Sequence, residues 1–404
     1  MMKEGSKMAV IEYVITIVLA FMISFCATPI AKKIAFKLNA IDVPKDERRM
    51  HKKPIALMGG LAIIAGFCVA IIYNIASPSE IFVPDRELAG LFVGILIILV
   101  SGIIDDIYHV KARVKLIFQV AAAISAVVIS DSRILRITNP FSETGMTELN
   151  IYISYAVTIL WIVGITNAVN LIDGLDGLAA GVSSICSLSL FFVSVLGLSP
   201  ESDAYTAIIT GALAGATLGF LPFNFNPAKI FMGETGSAFL GFALSVISIQ
   251  GTLKSYTAIS IAIPILVLGI PLFDTTFAIL RRILNGKSPM EADRGHLHHR
   301  LIDMGLSHKQ SVIVMYIASA SLGLCAVVLA NKGVLSAIIL LVSVSIFIVA
   351  GAKFMNEVSQ DDAPDENEHK DADAVEQIAA SVAHEESDEQ KNTSEEGIVI
   401  DAKN

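Results

Sequence analysis

Apolar residues in this chain recur in long runs separated by short polar segments. A hydrocarbon core about 30 Å thick takes about 20 apolar residues in a helix. Eleven stretches answer to that: 8–30, 56–76, 88–104, 114–130, 151–172, 178–197, 204–222, 236–253, 256–280, 311–330 and 334–354. The pattern predicts an all-α fold, a polytopic membrane helix bundle of about eleven transmembrane helices. The first run is long for a signal-peptide core and lacks a small-x-small cleavage site, so it reads as a retained span. An odd number of spans puts the termini on opposite sides, and Lys and Arg decide which is which. Segments 31–55, 105–115, 223–235 and 281–310 carry 18 of them together, and the segments on the other side carry 7. The N-terminus is therefore expected outside and the C-terminus in the cytoplasm.

Composition agrees. Of 404 residues, 54% are hydrophobic and 17% charged, with a mean hydropathy of +0.68. A soluble chain carries roughly a quarter charged residues, so an ordinary cytosolic enzyme, a disordered protein and a secreted disulfide scaffold are all excluded. The net charge of -9 belongs to one end. Residues 355–404 hold 16 Asp and Glu against 3 Lys and Arg, whereas 1–354 hold 22 against 26. Two parts follow: an integral membrane domain, 1–354, and an acidic cytoplasmic tail, 355–404, polar enough to be expected disordered. No nucleic-acid partner follows from either balance. Cys26, Cys68, Cys186 and Cys325 lie in apolar runs without metal or disulfide spacing and read as small core residues.

On this topology the polar chemistry gathers on one membrane face. His51, His109, His296, His298, His299 and His308 fall on the cytoplasmic side, as do Asp105, Asp106, Asp173, Asp176, Glu234 and Asp274. A transporter more often keeps ionisable groups near the midplane in two related halves, and no such repeat is visible. A structural scaffold has no use for acids at span ends.

Four clusters carry the candidate chemistry. Asp105-Asp106 closes an apolar run; adjacent carboxylates repel and are best held by a cation or by splitting their pKa values, unless they merely hydrate a helix end. Lys111, Arg113 and Lys115 follow, a basic set suited to phosphate. In the run Asn167 to Leu178, Asn167, Asn170, Asp173 and Asp176 repeat every three residues and would share one face of a helical turn. A polar turn accounts for the Asp and Gly residues there but not for two asparagines within an apolar run. Asn224 to Ser237 packs Lys229, Glu234, hydroxyls and glycines before a span, as an anion or metal-phosphate site does and as a plain turn also does. Ala292 to Arg300 holds three histidines in four positions; metal, phosphate, sugar and plain solvent are all partners for it. Together, carboxylates, cations and Gly-rich turns at one lipid boundary suit Mg²⁺-assisted phosphoryl transfer between a soluble nucleotide and a membrane-buried lipid.

These stretches resemble the polyprenyl-phosphate N-acetylhexosamine-1-phosphate transferases, and most of all the bacterial undecaprenyl-phosphate N-acetylglucosamine-1-phosphate transferases. The resemblance runs from about residue 40 to 310. It rests on His51-Lys52-Lys53-Pro54 with Met58-Gly59-Gly60, on Asp105-Asp106, on Asn167 to Gly177, on Phe231 to Ser237 and on His296-Leu297-His298-His299 after Asp293-Arg294-Gly295. Relatives with muramoyl-pentapeptide substrates have three consecutive histidines, whereas His-Leu-His-His is the N-acetylglucosamine form. One departure stands out: where the family usually has Asp in a Gly-Asp-x-Gly turn, this chain has Glu234.

The resemblance implies the partners and roles. UDP-N-acetylglucosamine and undecaprenyl phosphate would react at the cytoplasmic face of the bacterial plasma membrane, releasing UMP, with Mg²⁺ as cofactor and Mn²⁺ as a substitute. The product would feed a cell-wall glycopolymer such as teichoic acid. Glu234 would be a metal ligand, with Asp105, Asp106 and Asp173 as base or further metal partners. The catalytic set would be Asp105, Asp106, Asp173, Asp176, His298 and His299. Substrate would meet Lys53, Lys115, Asn170, Asn224, Phe231, Arg294 and His296, with Phe231 stacking on the uracil and the lysines neutralising phosphate. Direct displacement and a covalent phospho-enzyme remain alternatives, the former needing fewer assumptions. A homodimer is among the assemblies the sequence allows.

Overall fold

The computed structural model describes residues 2–345 apart from 44–53, 79–80, 139–145, 197–202, 254–261, 287–295, 333, 337, 339, 343 and 344. Everything discussed below belongs to the unit Met1–Val344; the acidic tail lies outside the described residues. Twelve helices follow one another among the described residues: α1 Met2–Lys37, α2 Gly60–Ala76, α3 Arg86–Tyr108, α4 Ala112–Ser130, α5 Ile151–Leu171, α6 Leu178–Leu196, α7 Asp203–Asn224, α8 Gly233–Leu253, α9 Ala262–Val267, α10 Gly269–Leu284, α11 Leu297–Asp303 and α12 His308–Lys332.

Seven of these, α1, α3, α4, α5, α6, α7 and α12, contain segments long and apolar enough to cross a membrane. The chain is a mostly helical, polytopic membrane protein. A helix satisfies its backbone polar groups internally, which hydrocarbon demands. α7 is the most enclosed of the seven, with α1, α2 and α6 packed along it. α8 is wrapped by protein and carries polar residues along its length. Its Phe239, Phe242 and Leu244 are fully buried, and Ser245 and Ser248 donate to carbonyls one turn back, at Phe242 and Ser245.

Three sequence expectations need correction. The apolar run 256–280 is not one continuous helix: its described part is two helices, α9 and α10, parted at Leu268. The fold is not purely helical, since Ile41–Asp42 (β1) pairs antiparallel with Ile55–Ala56 (β2), and Arg136–Thr138 (β3) with Met146–Glu148 (β4). Cys26 is exposed rather than in the core, while Cys186 and Cys325 are buried. Most of the stretch expected at 334–354 lies outside the described residues.

Candidate functional site

The site is built where α3, α5 and α8 end or begin together. Backbone bonds first tie two distant motifs. Gly59 and Gly60 donate to the carbonyls of Phe231 and Met232 at 3.0 and 2.9 Å, and Phe231 donates to Ala56 O at 2.9 Å. Gly60 and Gly236 nearly touch: a Cβ on Gly60 would lie 2.2 Å from Gly236 N, so α2 and α8 meet backbone to backbone.

The adjacent acids at the end of α3 part company. Asp106 caps α8, accepting from Glu234 N at 2.8 Å, Thr235 N at 3.2 Å and Thr235 Oγ1 at 2.6 Å. Gly233 supplies the turn, with φ of +70° and no room for a Cβ, which would fall 2.7 Å from the Asp106 carboxylate. Asp105 instead accepts from Val110 N at 2.9 Å and pairs with Lys115 Nζ at 2.8 Å. The same ammonium lies 3.1 Å from Glu234 Oε2. Asn170, in the last turn of α5, donates to that oxygen and to Ser237 Oγ, both at 2.8 Å. Lys115 and Asn170 thus aim Glu234 from opposite helices.

Beyond Asn170 the chain leaves α5 and turns. Asp173 receives no side-chain hydrogen bond among the described residues. Burial, with the charges of Glu234, Asp106 and Asp176 around it, holds its carboxyl well above the usual range. Asp176 accepts from Asn226 Nδ2 at 2.9 Å and Ala228 N at 3.0 Å, fastening the α7–α8 connection to this turn. Tyr316 of α12 donates to Gly177 O behind it. Asp42, Asn170, Asp173, Asp176, Phe231 and Glu234 line a cavity of about 380 Å³. Asn224 also lines it; its Nδ2 donates to Ile230 O, and its buried Oδ1 has no partner among the described residues.

The histidine run sits against the back of the turn. A Cβ on Gly174 would lie 2.6 Å from His298 Nε2. Burial, followed by the neighbouring His299, pushes the His298 pKa down to about 4, so the ring is neutral at pH 7. The His299 ring centre is 4.3 Å from that of His298. His296 points elsewhere: its ring is buried, with Nδ1 3.0 Å from Asp274 Oδ2.

The structure therefore brings together Asp105, Asp106, Lys115, Asn170, Asp173, Asp176, Asn224, Phe231 and Glu234, with His298 and His299 adjoining. Lys53 and Arg294 lie outside the described residues. Asn167 is one turn deeper, donating to Gln119 Oε1 at 2.6 Å. Asp42 and Asp274 were not among the predicted site residues. The signal for each was present: Asp42 stands in a segment with eight bases, and Asp274 is the one acid or base between 255 and 280.

Five carboxylates, those of Asp105, Asp106, Asp173, Asp176 and Glu234, against the Lys115 ammonium leave an excess of acidic groups that favours a cation. Among the described residues no three Asp, Glu, His or Cys side chains form a ready-made metal cage. Mg²⁺ needs none, since it commonly takes one or two carboxylates and completes its shell with water and substrate phosphate. Glu234 and the unpartnered Asp173 fit that mode; Asp106 is committed to three donors.

Comparison with known proteins is consistent with this chemistry. The family model described as "Glycosyl transferase family 4" matches residues 88–252. A Bacillus subtilis (strain 168) protein named "Probable undecaprenyl-phosphate N-acetylglucosaminyl 1-phosphate transferase" is 44% identical over 342 residues, 83% of this chain and 91% of the relative. The "Decaprenyl-phosphate N-acetylglucosaminephosphotransferase" of Mycolicibacterium smegmatis is 35% identical over 74% of this chain and 77% of its own. The "Undecaprenyl-phosphate alpha-N-acetylglucosaminyl 1-phosphate transferase" of Yersinia pestis is 27% identical over 76% and 82%.

Proposed function

The chain belongs to glycosyl transferase family 4, and from that premise we propose that it transfers N-acetylglucosamine-1-phosphate from UDP-N-acetylglucosamine to undecaprenyl phosphate. The products are undecaprenyl-diphospho-N-acetylglucosamine and UMP. The observation that carries this reading is the carboxylate cluster, with Lys115 and Asn170 aiming Glu234, opening on a cavity that Phe231 lines.

A phosphate oxygen of the lipid attacks the phosphorus that bears the sugar. A new P–O bond forms, the diphosphate P–O bond breaks, and its electron pair leaves on UMP. The attacking oxygen is already ionised at neutral pH, so little base catalysis is needed. The barrier is the approach of two anions, which positioned cations and hydrogen-bond donors lower. Phe231 stacks on the uracil, and Asn224 offers its free carbonyl beside it. Asn170, Asp173 and Asp176 line the nucleotide side. Lys115 neutralises phosphate while bridging Asp105 and Glu234, and Asp106 keeps α8 in register beneath them. His298, His299 and Arg294 serve the sugar-diphosphate end, and Lys53 adds a further cation. Glu234 and Asp173 would hold Mg²⁺, which when bound neutralises charge on the diphosphate.

The finer topology is part of the same reading. Eleven spans, an outside N-terminus and a cytoplasmic C-terminus put this site on the cytoplasmic face of a bacterial plasma membrane. The asymmetry of Lys and Arg supports it. The product starts a cell-wall glycopolymer of the teichoic acid kind.

The test is UMP release by the purified protein with undecaprenyl phosphate and a panel of UDP-sugars. UMP should appear only when lipid phosphate and UDP-N-acetylglucosamine are both present. Preference for another UDP-N-acetylhexosamine would reassign the sugar and keep the chemistry; no UMP from any of them would overturn the reading and reopen a transporter.

A further inference from the structure

Asp274 has no role in the reaction as described, yet it is buried in a helix whose other face is apolar and exposed. Phe273, Phe277 and Leu280 of α10 are 61%, 42% and 51% exposed, while Asp274 is 4% exposed. A carboxylate so placed is costly unless its oxygens are filled. Both are filled from the start of α11: Oδ1 accepts from Leu297 N at 2.6 Å and Oδ2 meets His296 Nδ1 at 3.0 Å. A second tie runs between the same helices, the Arg300 guanidinium lying 5.3 Å from the Phe277 ring centre. The His296 ring is nearly parallel to that of His298, at 11° with centres 5.8 Å apart. His298 in turn abuts Gly174, between Asp173 and Asp176.

We infer that Asp274 is a positioning residue that seats the histidine run against the acidic turn, with His296 its strut rather than a substrate contact. The carboxylate accepts from Leu297 N–H and from a protonated His296 Nδ1, so it fixes both the first turn of α11 and the His296 tautomer. The stacked His298 ring then has one place to sit. Because Asp274 belongs to α10 and not to the cavity wall, the arrangement links an apolar, exposed helix to the catalytic turn.

The inference rests on the proposed reaction for its kinetic arm, and a spectroscopic arm stands apart from it. In Asp274→Asn the side-chain oxygen can keep Leu297 N–H. The amide N–H then faces His296 Nδ1, which must become an acceptor, and the ring proton moves to Nε2. Histidine ¹⁵N spectra of the full chain in detergent should show one Nδ1-protonated ring that is lost in His296→Asn and switches tautomer in Asp274→Asn. Turnover should fall at least about tenfold in Asp274→Asn with KM for the UDP-sugar changed less than about threefold, the mark of lost positioning rather than lost binding. His296→Asn, whose amide nitrogen can replace Nδ1, should keep more turnover than His296→Ala. An unchanged tautomer or full turnover in Asp274→Asn would overturn the inference. So would a rise in KM at constant turnover in the His296 variants, which marks a substrate contact. A wild-type protein that releases no UMP would refute the reaction, while the spectra still decide the tie.

Discussion

Replacing Glu234 by Gln removes one charge and leaves the shape intact. Glu234 Oε2 receives Lys115 Nζ at 3.1 Å and Asn170 Nδ2 at 2.8 Å, and its side chain is 11% exposed. The amide oxygen of Gln can take both bonds, and Lys115 keeps Asp105 at 2.8 Å, so folding should survive. What disappears is a unit charge facing whatever cation the cluster holds. Unit charges 4 Å apart attract by about 4 kcal/mol at an effective dielectric near 20. Losing one preorganised electrostatic stabiliser typically costs about 2.7–4 kcal/mol, roughly 10²- to 10³-fold in rate. Glu234→Gln should therefore lose at least about a hundredfold. Glu234→Asp keeps the charge but withdraws it by about 1.5 Å, one carbon–carbon bond, and should keep measurable activity. The assay is UMP release against Mg²⁺ concentration for wild type and both variants. If Gln matches Glu at every concentration, Glu234 holds no metal, and the ion belongs to Asp105, Asp106 or Asp173.

Three further outcomes are expected. Turnover should vanish in EDTA and return with Mg²⁺ or Mn²⁺; full turnover in chelator would remove the metal from the account. Deleting residues 357–404 should leave turnover in detergent near the wild-type level, since no motif lies there; loss of activity in a folded truncate would give the tail a role. The raised pKa of Asp173 has a definite sign: it favours the folded apo state below the ordinary Asp pKa, and that contribution is lost as pH rises through the folded value. The gain in Tm on adding Mg²⁺ should thus grow with pH, because binding expels the Asp173 proton. A pH-independent gain in wild type, or an equal pH dependence in Asp173→Asn, would contradict this.

The apolar runs revealed the helices because lipid and protein interiors both demand apolar surface over the same length. They did not reveal the break at Leu268, since α9 and α10 are apolar on both sides of it, and a two-residue ladder such as β1–β2 has no period to read. Asp105-Asp106 was legible as chemistry but not as geometry. Successive side chains on a helix diverge by about 100°, and that rotation sends Asp105 to Lys115 and Asp106 to the start of α8. The three-residue spacing from Asn167 to Asp176 suggested one helical face, but α5 ends at Leu171, so Asp173 and Asp176 reach the cavity from a turn while Asn167 stays with Gln119. Asp274 was visible as an acid in an apolar run, but its partner lies 22 residues away on another helix, a distance no local pattern spans.

The central claim is that sugar and phosphate travel together. Undecaprenyl phosphate should be incubated with the purified protein and UDP-N-acetylglucosamine carrying ³²P in the sugar-linked phosphate and ¹⁴C in the sugar. Both labels should enter the lipid extract in equal amounts, with unlabelled UMP left in the aqueous phase. Lipid carrying ¹⁴C alone, with ³²P left in UDP, would show ordinary glycosyl transfer and contradict the account.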